Sequence, residues 1–131
     1  MTTPKVFRLI IPVDSIDEAV AFYRAFLGQD GERVWSNRHY FHCGDVMITC
    51  LEPGSEYGNF RSPTDPRIIY FAVDNLESMQ GKLQEAGTGR LCSVIETQPW
   101  GERSFYAEDP FGNQLCFVHE STVYTGGKHE K

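Results

Sequence analysis

The sequence predicts an α+β fold of two β-α-β-β-β modules, a curved and mostly antiparallel sheet arrangement around a cavity with the helices on the outer face. Three observations carry this. A strand, a helix and three short strands follow one another in each half of the chain. The junction Val13-Asp14-Ser15-Ile16-Asp17 recurs sixty residues on as Val73-Asp74-Asn75-Leu76-Glu77: a β-branched strand end, an acid, a capping residue, an aliphatic and a first-turn acid. Between the halves, Glu52 to Pro66 is rich in Pro, Gly, Ser and Asn and has no apolar period.

Each element has a local reason. Val6 to Val13 is a β-rich apolar run. Ser15 is a natural N-cap, Asp17 and Glu18 complement the helix dipole, and Ile16, Ala19, Val20, Tyr23 and Leu27 recur at helical spacing before Gly28. Strands are expected at Arg33 to Ser36, His39 to Cys43 and Val46 to Leu51, with hairpin turns at Ser36-Asn37 and Gly44-Asp45. In the second half, Ile68 to Val73 reads as a strand and Leu76 to Ala86 as a helix ended by Gly87-Thr88-Gly89. Three strands follow at Leu91 to Thr97, Glu102 to Ala107 and Gln114 to His119. The organisation expected is one domain over 1–131: module 1 at about 5–52, a linker at 53–66, module 2 at about 67–120 and a loosely ordered polar tail at 121–131.

Composition narrows the function. Twelve Lys and Arg against eighteen Asp and Glu give a net charge of −6, which repels phosphate backbones and anionic lipid, so neither nucleic acid nor membrane is expected as a partner. No apolar run approaches the ~18 residues of a membrane span, and Met1-Thr2-Thr3-Pro4 lacks the character of a secretory signal, so a cytoplasmic protein is expected. Cys43, Cys50, Cys92 and Cys116 have no zinc-type spacing and read as reduced, buried thiols in strands. His39 and His42 fall on opposite faces of one strand, and with His119 they read as surface or rim side chains; His129 belongs to the tail. Open sheet edges in a chain of this size lead us to expect a homodimer.

A set of motifs runs through the whole chain. Ile11-Pro12-Val13-Asp14 leads to Ala21-Phe22-Tyr23 and Ala25-Phe26-Leu27-Gly28, Phe71-Ala72-Val73-Asp74 opens the second half, and Gln98-Pro99-Trp100-Gly101 runs into Phe105 and Asp109-Pro110-Phe111-Gly112-Asn113. Together these resemble the vicinal oxygen chelate superfamily of glyoxalases, extradiol dioxygenases, fosfomycin-resistance enzymes and bleomycin-resistance proteins. The Pro-Trp-Gly and Asp-Pro-x-Gly-Asn pair is most similar to the bleomycin-resistance branch. The resemblance implies metal-ligand positions at Arg8, at Ile68, at Cys116 and at one of Met47, Ile48, Thr49 or Cys50. A hard dication needs oxygen or imidazole ligands, so no metal and no cofactor are expected.

Side chains with the parity of those positions are expected to line the cavity: Arg8 with Ile10, Ile68 with Tyr70, and Gln114 with Cys116. Arg8 faces either a bound anion or an internal acid such as Glu96 or Glu120. Trp100, with Trp35, Tyr40 and Phe41 facing it across the cleft or a dimer interface, supplies aromatic walls suited to flat or cationic ligands, the alternative for each being core or interface packing. The ligand-binding set expected is therefore Arg8, Trp35, Tyr40, Ile68, Tyr70, Trp100 and Cys116. The function expected is metal-independent binding of a small aromatic or cationic compound, similar to bleomycin-resistance sequestration. The alternative is a glyoxalase- or dioxygenase-like lyase or oxidoreductase with an altered site, using Arg8 to hold an anion, Tyr70 to exchange a proton and Cys116 as nucleophile. An interaction subunit with a vestigial cavity stays open as a third.

Overall fold

The computed structural model describes residues 6–52 and 68–124, so the expected linker and the tail beyond Tyr124 lie outside the described residues. The chain divides into two compact units, Met1–Pro66 and Arg67–Lys131.

The first unit runs β1 (Arg8–Pro12), α1 (Ile16–Leu27), β2 (Glu32–Val34), β3 (Arg38–Cys43) and β4 (Val46–Leu51). Ser15 is extended at φ −142° and its hydroxyl accepts the Glu18 N–H at 3.2 Å, which starts α1. Glu52, at the end of β4, reaches back and accepts the Ile16 N–H at 2.8 Å, so a second unpaired donor of the helix start is satisfied across the sheet. Gly28 stops the helix in the left-handed region at φ 69°. Because the helix carries the chain back over the sheet, β1 joins β4 in parallel, while β2, β3 and β4 pair antiparallel in the order β1-β4-β3-β2.

Alternation along these strands separates two faces. Ile11, Phe41, Ile48 and Cys50 are buried on the α1 side with Ala19, Phe22, Tyr23 and Phe26 of the helix. Tyr23 meets Phe41 with ring centroids 6.3 Å apart. His39 has the parity of Phe41 and is buried with it, which corrects the rim reading for that residue. Its Nδ1 accepts from Arg33 Nε at 3.3 Å and its Nε2 lies 2.8 Å from the Asp30 carbonyl, so the neutral Nε2–H tautomer satisfies both ring nitrogens. His42 is exposed on the opposite face, as parity requires.

The second unit runs β5 (Ile68–Val73), α2 (Leu76–Ala86), β6 (Arg90–Leu91), β7 (Glu96–Thr97), β8 (Arg103–Glu108) and β9 (Gln114–His119). The sixty-residue repeat is realised at the caps: Asn75 accepts the Ser78 N–H at 2.8 Å, and Gly87 ends the helix at φ 77°. β5 joins β9 in parallel, β8 pairs antiparallel with β9, and both β6 and β7 pair with β8. Phe105, Leu115 and Phe117 are fully buried, with Phe71 and Phe105 stacked on either side of Phe117 at 5.4 and 5.2 Å.

Three expectations are corrected in this unit. The single strand expected over Leu91 to Thr97 is two short pieces, because Ser93 leaves the ladder and its hydroxyl takes the Tyr106 N–H at 2.9 Å. That break also exposes Cys92, which was expected to be buried in a strand; Cys43 is half-buried, and none of the four cysteines is in a disulfide. The residues from Ser121 are held as far as Tyr124: a 3-10 turn spans Glu120–Thr122, and the Thr122 hydroxyl accepts the Arg103 N–H at 3.1 Å and donates to the His119 carbonyl at 2.8 Å.

Between β8 and β9 the Asp109-Pro110-Phe111-Gly112-Asn113 turn is organised by one buried carboxylate. Asp109 Oδ1 accepts the N–H groups of Phe111 at 2.9 Å and Asn113 at 2.8 Å, and Oδ2 accepts the Asn113 side-chain amide at 2.7 Å. Gly112 supplies the positive φ of 87° that the turn needs.

Candidate functional site

The loop before β8 builds a cleft on the second unit. Gln98 N–H bonds to the Glu102 carbonyl at 2.7 Å and Gly101 N–H to the Gln98 carbonyl at 2.9 Å, with Gly101 at φ 99°, so the motif closes into a tight turn. Trp100 stands on that turn, and its indole Nε1 donates to Glu102 Oε1 at 3.0 Å. The other carboxylate oxygen, Oε2, accepts the Tyr124 N–H at 2.9 Å. Glu102 thus pins the indole and the segment around Tyr124 to each other. The space they frame, about 420 Å³, is floored by Ala72 and Val118 and walled by Tyr70, Trp100, Val123 and Tyr124. Tyr70 is 54% and Trp100 44% exposed, so both rings offer a free face.

Beneath the cleft, strand register sets Tyr70, Cys116 and Tyr106 in one row on the face away from α2, with Ser104 one step along. Tyr106 is pushed up to about 12, first by its hydrogen bond to Tyr70 and then by burial. Burial pushes the Cys116 thiol up as well, against the opposing pull of hydrogen bonds from Ser104 and Tyr106. With 1% of its surface exposed, Cys116 is a protonated packing residue under the cleft and has none of the electropositive, open surroundings a nucleophilic thiol needs. The Tyr70 contribution is checked directly. Tyr70→Phe removes the acceptor, and a spectrophotometric titration is expected to bring Tyr106 down toward the ordinary tyrosine value, with Tyr106→Phe identifying the late-titrating ring. The wild-type fold is correspondingly expected to lose stability as pH rises from the unfolded tyrosine value to about 12, because in that window the unfolded chain releases a proton that the folded chain holds.

The expected site residues fall into two groups. Tyr70 and Trp100 are brought together in the cleft, with Ile68 and Cys116 on the same sheet face outside its lining. Arg8 and Tyr40 meet in the first unit, the guanidinium 5.4 Å from the Tyr40 ring centre. Arg8 is exposed, not enclosed, and no carboxylate of its own unit pairs with it among the described residues. Trp35 is 78% exposed at the β2–β3 turn, with its backbone in the left-handed region at φ 64° and the Arg38 guanidinium 5.8 Å from its ring centre. Glu102, Val123 and Tyr124 were not among the expected residues. The signal for Glu102 was its position two residues after Trp100, whose indole N–H needs an acceptor when partly buried.

The ligand positions implied by the resemblance do not fit a divalent ion. Arg8 is a cation, Ile68 has no donor atom, Cys116 is held protonated, and the β4 segment offers a thioether, a hydroxyl or a thiol. Among the described residues no three His, Cys, Asp or Glu side chains converge.

A family model for the Glyoxalase/Bleomycin resistance protein/Dioxygenase superfamily matches residues 5–117, and the chain belongs to that superfamily. Solved structures agree in fold. A glyoxalase-related enzyme from Fulvimarina pelagi superposes with a TM-score of 0.80 at 12% identity, covering 98% of this chain and 96% of that one. A superfamily member from Sphaerobacter thermophilus gives 0.70 at 25% identity, with 90% and 98% covered. Lactoylglutathione lyase from Agrobacterium tumefaciens gives 0.68 at 19% identity, with 91% and 96% covered. Among curated proteins none matches the chain. No helix among the described residues is long and apolar enough to cross a membrane.

Proposed function

We propose that the protein binds a small planar, positively charged aromatic compound without a metal, in the manner of bleomycin-resistance sequestration, using the cleft of the second unit. The observation that carries this reading is one carboxylate, Glu102, bonded to the Trp100 indole and to the Tyr124 backbone N–H in the lining of a cleft of about 420 Å³ that both aromatic residues share. Aromatic faces attract flat cations by stacking and quadrupole forces worth ~0.5 to 2 kcal/mol per contact, and a nearby carboxylate adds charge complementarity. Binding by shape and stacking needs no general base and no activated thiol, which suits a site whose sulfur is protonated and buried. The net charge of −6 draws cations toward the surface. The reading includes pairing of two copies, supported by the edge strands β1 and β2 of the first sheet.

The test uses a Trp35→Phe protein, in which Trp100 is the remaining indole. Titration with a planar aminoacridinium dye is expected to quench its fluorescence saturably. Glu102→Gln removes the charge and keeps one acceptor oxygen, so one of the Trp100 and Tyr124 N–H groups loses its partner. The cationic dye is expected to weaken about tenfold more than a neutral planar isostere, which reads the lost bond alone. The absence of saturable change with both dyes refutes the reading.

A further inference from the structure

The first sheet carries, on the face turned away from α1, a cation and a hydroxyl that the cleft does not use. The Arg8 guanidinium lies 5.0 Å from the ring centre of Phe7 and 5.4 Å from that of Tyr40. Stacking on aromatic faces steadies the guanidinium plane and leaves its in-plane N–H fork directed outward. Register sets Ile10, Thr49 and Tyr40 in one row across β1, β4 and β3, with Arg8 two residues from Ile10 on the same face. Thr49 is 1% exposed, and its hydroxyl has no hydrogen-bond partner among the described residues. An unpaired buried hydroxyl costs about 1 to 3 kcal/mol, a cost that valine in the same volume avoids. A donor kept at that cost, beside a stacked guanidinium that pairs with no carboxylate of its unit among the described residues, is the signature of a site.

We propose that this face binds the carboxylate of a small aromatic acid, with the Arg8 fork taking its two oxygens and the Thr49 hydroxyl donating to one of them. Thr49 is 1% exposed, so the ligand reaches its hydroxyl only when a neighbouring side chain changes rotamer. Carboxylate and phosphate both match a guanidinium fork. The net charge of −6 disfavours the doubly charged phosphate, and the Phe7 and Tyr40 rings favour an acid with a flat apolar body. The site lies on the first unit and stands or falls separately from the cleft of the second.

The test is titration of the full chain with benzoate, followed by the Arg8 Nε–H resonance and by calorimetry, with inorganic phosphate as comparison. Benzoate is expected to bind saturably and phosphate at least tenfold more weakly. Arg8→Lys, which removes the fork and keeps the charge, is expected to weaken benzoate about tenfold or more. Thr49→Val is expected to weaken it about fivefold and to raise the thermal midpoint, since it deletes an unpaired polar atom. Glu102→Gln is expected to leave benzoate affinity unchanged. The assignment is overturned if benzoate fails to saturate, if either the Arg8 or the Thr49 variant binds it like wild type, if Thr49→Val lowers the midpoint, or if phosphate binds as tightly as benzoate.

Discussion

Gly31→Ala is expected to cost about 3 to 5 kcal/mol, enough to remove much of the stability of a domain this size. Gly31 sits at φ 68°, and a methyl group added there lies 2.6 Å from the Tyr40 carbonyl oxygen, 2.8 Å from His39 Nε2 and 2.8 Å from the Phe41 ring. The nearest of these is backbone within the sheet, so relief requires β3 itself to move. Moving the His39 ring instead breaks its contact with the Asp30 carbonyl. Gly28→Ala is the control that separates strain from crowding. It has nearly the same φ, 69°, and nothing within 4 Å of the added carbon, so about 1 to 2 kcal/mol is expected. Urea unfolding of the two variants measures the difference; equal midpoints refute the crowding argument.

The second large effect is expected at Asp109. Replacing it by alanine leaves the N–H groups of Phe111 and Asn113 and the Asn113 amide without their acceptor, in a turn where the carboxylate is 2% exposed. Hydrogen bonds to a charged acceptor contribute about 1.5 to 3 kcal/mol each, and several lost together are partly recovered by water, so a net cost of about 3 kcal/mol is expected. Asp109→Asn keeps one acceptor oxygen and is expected to cost less. Hydrogen exchange reads the same event locally: the Phe111 and Asn113 amides should lose protection in the alanine variant by more than amides of α1. An unchanged unfolding midpoint would show that the turn does not need the carboxylate.

Much of this architecture was legible because it is written in periodicity and in caps. Val46 to Leu51, Ile68 to Val73, Gln114 to His119 and both helices have the expected bounds, since each couples a clear apolar pattern to a capping residue or a glycine stop. What was not legible depends on partners far away in the chain. The break at 92–95 follows from Ser93 taking the Tyr106 N–H, a bond between residues thirteen apart that an apolar run cannot report. His39 was assigned the correct parity and the wrong environment, because its burial rests on Asp30, Arg33 and the space left by Gly31. For the candidate site, Trp100 and Tyr70 were expected and stand together in the cleft. Val123 and Tyr124 were hidden by the polar composition around them, and Glu102 by its use as an ordinary strand-start residue. Arg8 was read as an enclosed cation in need of a counter-charge; in the structure it is exposed and stacked on rings, which changes its desolvation cost and leaves its hydrogen-bonding fork available.

The pairing of Glu102 with the Tyr124 amide has an evolutionary reading. Two of the cleft's walls, Val123 and Tyr124, belong to a segment after the last strand and carry none of the sheet's ladder bonds. Mutations there change the outline presented to a guest without disturbing the hydrophobic interior that holds the fold. Selection for a new compound therefore meets few folding constraints along that stretch, and diversity among homologues of this chain is expected to concentrate where the β-structure has already ended.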